Sequence, residues 1–215
     1  MKKIIWIYGQ SATGKKTLIN KLLSGDLKTM KELEMENLKI SACKNTIVDD
    51  AIIQPSIVDS FNYDDSNLQE NNEYFNREIA LNRRSCVMTD CLNFLENDDD
   101  ILLVKGQDND FWPGRGDIIK YFLEQFSNNQ NLKIEVIMLT VQDDELWKKR
   151  IQNKEWFKNF EDKESVMNNM IKSRLEQKHE KDISNVFSSY GIPIVFVDSG
   201  ENHYSIIEKN KIKEK

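Results

Sequence analysis

The stretch that most constrains the fold lies near the start of the chain. An unbroken apolar run, Ile4-Ile5-Trp6-Ile7-Tyr8, leads into Gly9-Gln10-Ser11-Ala12-Thr13-Gly14-Lys15-Lys16-Thr17, after which Leu18, Ile19, Leu22 and Leu23 recur at helical spacing. Uninterrupted apolar residues suit a parallel strand covered on both faces. The spacing that follows predicts a helix of about three turns, with Gly25 as its stop signal. A strand that feeds a helix through a glycine-bracketed loop points to a central strand of an α/β sheet and sets the loop at a helix N-terminus. There, backbone N–H groups and about half a positive charge face outward, and glycine lets the backbone wrap an anion.

Phosphate is the natural guest of such a loop. The spacing is G-x-x-x-x-G-K, which predicts that Lys15 reaches the β and γ phosphates of a nucleotide and that a nearby hydroxyl ligates Mg²⁺. Ser or Thr usually follows the lysine, but Lys16 stands there and the hydroxyl comes at Thr17. In this the loop resembles the nucleoside monophosphate kinase version, in which a non-hydroxyl residue precedes a threonine. The whole run Gly9 to Thr17 is the expected cofactor-binding segment, with Thr17 as the expected metal ligand.

Composition narrows the partners. With 215 residues, 39% of them hydrophobic, the chain can bury a sizeable core, and a single domain over 1–215 is expected. A net charge of −6 gives no general attraction to nucleic acid and favours a small-molecule partner. Cys43, Cys86 and Cys91 are odd in number and lack metal-ligand spacing, and His179 and His203 lie far apart, so reduced thiols and no zinc site are expected. The first apolar run is too short for a signal peptide and no other run is long enough to cross a bilayer, which predicts a cytoplasmic protein with no membrane partner.

Residues 26–99 read as a helical segment on the acceptor side, interrupted by a strand over 43–48 with Asp49 and Asp50 at its C-terminal end. Ligands of open α/β sheets bind at such ends, and paired carboxylates there can orient an acceptor hydroxyl or a Mg²⁺-bound water; Asp is equally at home in a turn or a helix cap. The pair resembles the acidic pair after the second strand of polynucleotide-kinase-like enzymes. Between 64 and 97, Leu68, Phe75, Ile79, Cys86 and Leu92 fall at helical intervals, with Arg77, Arg83 and Arg84 projecting; each Arg fits either a solvated helix face or phosphate recognition.

Ile101-Leu102-Leu103-Val104 predicts a strand over 100–105, followed by a loop rich in glycine and acids, and then by a helix with Ile118, Ile119, Phe122, Leu123 and Phe126 on one face beneath an Asp117 cap. In nucleoside monophosphate kinases an Asp-Gly with a nearby Arg follows the third strand, and Lys105-Gly106 with Arg115 occupies the comparable place. A lysine there leaves Asp108 or Asp110 to serve the metal; a structural turn around Trp112 is the other reading of the same loop. Arg77, Lys105, Asp108, Asp110 and Arg115 are the expected acceptor-binding residues.

Ile134 to Leu139 predicts a strand over 133–140, and Asp143 onward a helix carrying Leu146, Trp147 and Ile151 beside Lys148, Lys149 and Arg150. A polar connection leads to a second helix bearing Arg174. The tract over 150–175 resembles the lid of the same kinase superfamily, in which Arg150 and Arg174 match the positions of cations that close over ATP; an arginine so placed is worth about 10³–10⁵ in rate. The last strand is expected at 193–198, with Ser199-Gly200 as a turn and a closing helix over Ser205 to Lys209. Strands alternating with helices predict an α/β fold, a doubly wound parallel sheet of about five strands.

The resemblance to P-loop kinases of the nucleoside monophosphate and polynucleotide kinase kind spans most of the chain, with a specific motif at Gly9 to Thr17. It implies ATP and Mg²⁺, a P-loop NTPase-like sheet, and transfer of the γ-phosphoryl to a hydroxyl or phosphate of a nucleotide-like acceptor. Lys15, Asp49, Asp50, Arg150 and Arg174 are the expected catalytic residues. Two other readings stand beside it. One is a kinase acting on nucleic acid, such as the phage-type enzymes that phosphorylate hydroxymethylated bases in DNA. The other is a nucleotide-regulated NTPase switch, whose Asn-Lys-x-Asp motif is not found in the chain.

Overall fold

A computed structural model describes residues 1–43, 84–106, 118–176 and 178–210. Among the described residues, strands β1 (Lys2–Gly9), β2 (Ile40–Ala42), β3 (Ile101–Lys105), β4 (Leu132–Thr140), β5 (Ile194–Ser199) and β6 (Tyr204–Asn210) form a six-stranded sheet in the order β2-β3-β1-β4-β5-β6. The fold is α/β with a mostly parallel open sheet. By internal contacts the chain divides into two compact units, Met1–Ile4 with Lys39–Lys133, and Ile5–Leu38 with Ile134–Lys215.

In the first unit, β2 runs parallel to β3 with Ile40 opposite Ile101 and Ala42 opposite Leu103. Asp100 sets this register: its N–H donates to the Lys39 carbonyl and its carboxylate accepts from the Lys39 N–H at 2.8 Å. A helix over 84–96, α3, buries Val87, Cys91 and Phe94 at helical spacing. The Lys2 ammonium donates to the carbonyls of Phe94 and Asp99 at 2.7 and 3.1 Å, where a cation complements the negative end of that helix. The helix expected before β4 is α4 (Ile118–Phe126), with Ile118, Ile119, Phe122, Leu123 and Phe126 all buried.

In the second unit, the apolar run of β1 is fully buried from Ile5 to Tyr8, as an interior strand requires. Helix α1 (Lys15–Leu23) buries Leu18, Ile19 and Leu22, whereas Leu23 reaches the surface. It ends at Gly25, φ +71, where Asp26 N–H donates to the Lys21 carbonyl and Gly25 N–H to that of Leu22, the paired bonds of a Schellman stop. The Asp26 carboxylate then caps α2 (Leu27–Glu32) by accepting from Thr29 N–H. Strands β4 and β5 are parallel, Val136 opposite Ile194 and Thr140 opposite Asp198. Between them come α5 (Asp144–Gln152), capped by Asp143, then α6 (Glu155–Lys158), α7 (Lys163–Glu176) and α8 (Lys178–Ser189), whose Phe187 lies against Tyr8 of β1.

Two expectations change. Among the described residues the sheet has six strands rather than about five. Its strand beside β3 is Ile40–Ala42, and of the strand expected over 43–48 residues 44–48 lie outside the described residues. The segment expected as a closing helix over Ser205–Lys209 is β6, antiparallel to β5 with Ser199 opposite Tyr204. Its β-branched Ile206 and Ile207 suit a pleated edge, and the turn after Ser199 is short enough to fold a hairpin back onto β5. Among the described residues, no helix is long and apolar enough to cross a membrane.

Candidate functional site

The Gly9–Thr17 loop joins the C-terminal end of β1 to the N-terminus of α1. Its entry is sterically exclusive: Gly9 has φ +143, and a Cβ there would stand 2.4 Å from the Leu139 carbonyl oxygen and 2.7 Å from Thr13 Oγ1. Thr13 is buried, and its hydroxyl donates to the Gln10 carbonyl at 3.0 Å, closing the turn from inside. Ala12 takes a left-handed φ of 63°, uncommon for a residue with a Cβ, and Gly14 caps α1 at φ 91° with no side chain bonded to the helix end. Lys15, Lys16 and Thr17 form the first turn of α1, with Lys16 and Thr17 exposed. The Lys15 ammonium folds back onto the loop and donates to the carbonyls of Gly9 and Gln10.

Side chains from later in the chain hold the loop. Gln10 Nε2 approaches Glu180 Oε2 of α8 at 3.4 Å, and the indole N–H of Trp147 on α5 donates to the Ser11 carbonyl at 3.1 Å. Trp147 is buried in a cluster with Val141, Ile151 and Phe157, against which Ala12 packs from the loop and Met170 and Ile171 from α7.

Beside Gly14 and Thr17 opens a cavity of about 370 Å³ that Arg150, Gly200, His203 and Tyr204 also line. Arg150 donates from one terminal nitrogen to the Ser199 carbonyl at 3.0 Å and from the other to the Gly200 carbonyl at 2.6 Å, both residues of the cavity wall. The His203 ring lies over Gly200, where an added Cβ would meet its Cε1 at 2.3 Å. Burial pushes the Tyr204 phenol above its ordinary value of 10.0, while the Arg150 charge pulls the other way. Among the described residues, Lys21, Arg150 and Lys154 line the space against the single acid Glu201, so it suits an anion.

Arg174 is engaged elsewhere. Its guanidinium pairs with Asp144 at 2.9 Å, donates to the Val141 carbonyl, and lies 4.9 Å over the Trp147 ring. With Asp144, Glu180 and Phe196 it lines a different cavity, of about 600 Å³. Arg150 and the Gly9–Thr17 loop are thus brought to one cavity, and Arg174 is not. Lys105 is half-buried at the end of β3, in the first unit. Asp49, Asp50, Arg77, Asp108, Asp110 and Arg115 lie outside the described residues.

Reasoning from the sequence missed Trp147 as a partner of the loop, and Ser199, Gly200, His203 and Tyr204 as the opposite wall of the cavity. Ser199-Gly200 read only as a turn, and nothing in the local pattern pairs it with an arginine on a distant helix. Among the described residues, no group of acids, histidines or cysteines is arranged to hold a metal. Thr17, at the cavity, offers a hydroxyl of the kind that the Mg²⁺ of a bound nucleotide takes. A scan against protein-family models finds no match to this chain, and a search of curated proteins likewise finds none.

Proposed function

We propose that this chain is a P-loop phosphotransferase that moves the γ-phosphoryl of ATP, taken up as its magnesium complex, to a hydroxyl or phosphate of a nucleotide-like small molecule. One observation carries the reading: at the start of α1, a loop that only glycine can enter holds the Lys15 ammonium against its own carbonyls, beside a positively lined cavity containing Thr17 and Arg150. A cation parked on carbonyl oxygens is available to exchange them for phosphate oxygens, whose full charges make stronger hydrogen bonds.

In this reading the loop N–H groups and Lys15 bind the β and γ phosphates, and the Thr17 hydroxyl faces the magnesium that travels with the nucleotide. The acceptor oxygen attacks phosphorus as the bond from phosphorus to the β–γ bridging oxygen breaks; ADP leaves, and the proton of a hydroxyl acceptor passes to the carboxylate that orients it. Charge spreads over the transferring oxygens, and fixed cations stabilise it without reorganising. Arg150 is already held at the cavity by Ser199 and Gly200, whereas Arg174 would have to leave Asp144 to take part. Asp49 or Asp50 is the proposed orienter of the acceptor.

The test is transfer from γ-labelled ATP to a panel of nucleosides, nucleotides, sugars and oligonucleotides, with Lys15→Ala as control. A labelled product that disappears in Lys15→Ala, at an unchanged melting temperature, is the expected result. Turnover in Lys15→Ala close to that of the unaltered protein would overturn the assignment, and a labelled oligonucleotide alone would move the acceptor to nucleic acid.

A further inference from the structure

We propose that Trp147 is a positioning residue for the phosphate loop, linking the shape of that loop to the packing of α7; the inference rests on the reading of Gly9–Thr17 as a phosphate site. The Ser11 carbonyl belongs to the peptide that enters Ala12, whose backbone is left-handed. The indole N–H of Trp147 holds that carbonyl at 3.1 Å, and because the C=O and N–H of a planar trans peptide point opposite ways, it fixes the direction of the Ala12 N–H as well. Ala12 packs on the same cluster as Trp147, so the residues on both sides of the Ser11–Ala12 peptide are held by it.

The indole is itself fixed from its other side. Arg174 of α7 lies 4.9 Å over the ring and is anchored in turn by Asp144 and the Val141 carbonyl. Val166, Met170 and Ile171 of the same helix pack against the cluster. A continuous path of side-chain contacts therefore runs from α7 through Trp147 to the backbone that would hold phosphate. A shift of α7 changes the loop through this ring, and Arg174 acts on phosphate binding without touching phosphate.

The test uses the full chain with Trp147→Phe, which keeps an aromatic face and removes the donor, and with 3-benzothienylalanine at position 147, which replaces the N–H by sulfur at nearly constant shape. Binding of magnesium tripolyphosphate should weaken about three- to tenfold, the worth of one hydrogen bond. Affinity for adenosine, which makes no use of the loop, should not change. Amide hydrogens of Ala12 and Thr13 should exchange faster in both variants without any ligand. Unchanged exchange and unchanged tripolyphosphate affinity in the benzothienyl variant would overturn the proposal, even if Trp147→Phe fails to fold. Faster exchange in a protein that binds no tripolyphosphate at all would leave the positioning intact and sink the phosphate-site reading instead.

Discussion

Replacing Gly9 by alanine isolates what the mouth of the loop demands. An alanine at φ +143 occupies a region that L residues rarely adopt, at a cost of about 1–3 kcal/mol. Its methyl would also stand 2.4 Å from the Leu139 carbonyl oxygen, a backbone atom of β4 that cannot swing aside as a side chain does. Relieving such overpacking costs about 1–3 kcal/mol more. Gly25 supplies the internal comparison, because its φ is +71 and no atom lies within 4 Å of an added Cβ. Gly25→Ala therefore carries only the left-handed backbone cost, about 1–2 kcal/mol. At roughly 2–4 °C per kcal/mol for a chain of this length, thermal melting by circular dichroism should fall by about 10 °C for Gly9→Ala and about 4 °C for Gly25→Ala. Equal melting temperatures for the two variants would refute the claim that β4 presses on the loop entrance.

Two further outcomes concern the loop and the cavity wall. Thr17→Ala should raise the magnesium concentration needed for half-maximal transfer several-fold and Lys16→Ala should barely change it; a magnesium titration giving the reverse order would assign the metal to the wrong residue. Because burial raises the Tyr204 phenol above 10.0, the folded state keeps its proton longer than the unfolded chain does. Its contribution is therefore complete below that value and is lost as pH rises through the folded-state value. Urea midpoints between pH 9 and 11 should fall more steeply for the unaltered protein than for Tyr204→Phe, and parallel curves would contradict this.

The parts legible in the sequence are those whose signals are local. Ile4 to Tyr8 carries no charge and points to a doubly covered strand, and the helical spacing of Ile118 to Phe126 matches all five positions that the fold buries. Strand β6 was not legible because two adjacent isoleucines among polar residues fit a helix end as well as an edge strand, and pairing with β5 decides between them. Strand β2 is described over Ile40–Ala42, and its alignment with Ile101–Leu103 rather than its own pattern marks it. In the site, the glycines and Lys15 announced the loop. The contact of Trp147 with Ser11 joins residues 136 positions apart, and that of Arg150 with Ser199 joins residues 49 apart, distances over which local periodicity carries no information.

The interior place of β1 has a consequence for how the chain is made. Its neighbours in the sheet are β3 and β4, so Lys3 bonds to Asp100 and Gly9 abuts Leu139. At about 5–20 residues per second, a ribosome needs on the order of ten seconds to deliver those partners after β1 has been synthesised. Through that interval Ile4-Ile5-Trp6-Ile7-Tyr8 is an uncharged, β-prone segment without its sheet, the kind of run that associates with others like it. Lys2 and Lys3 precede it directly, and like charges on approaching nascent chains repel, so these lysines act as gatekeepers of the strand until β3 and β4 arrive.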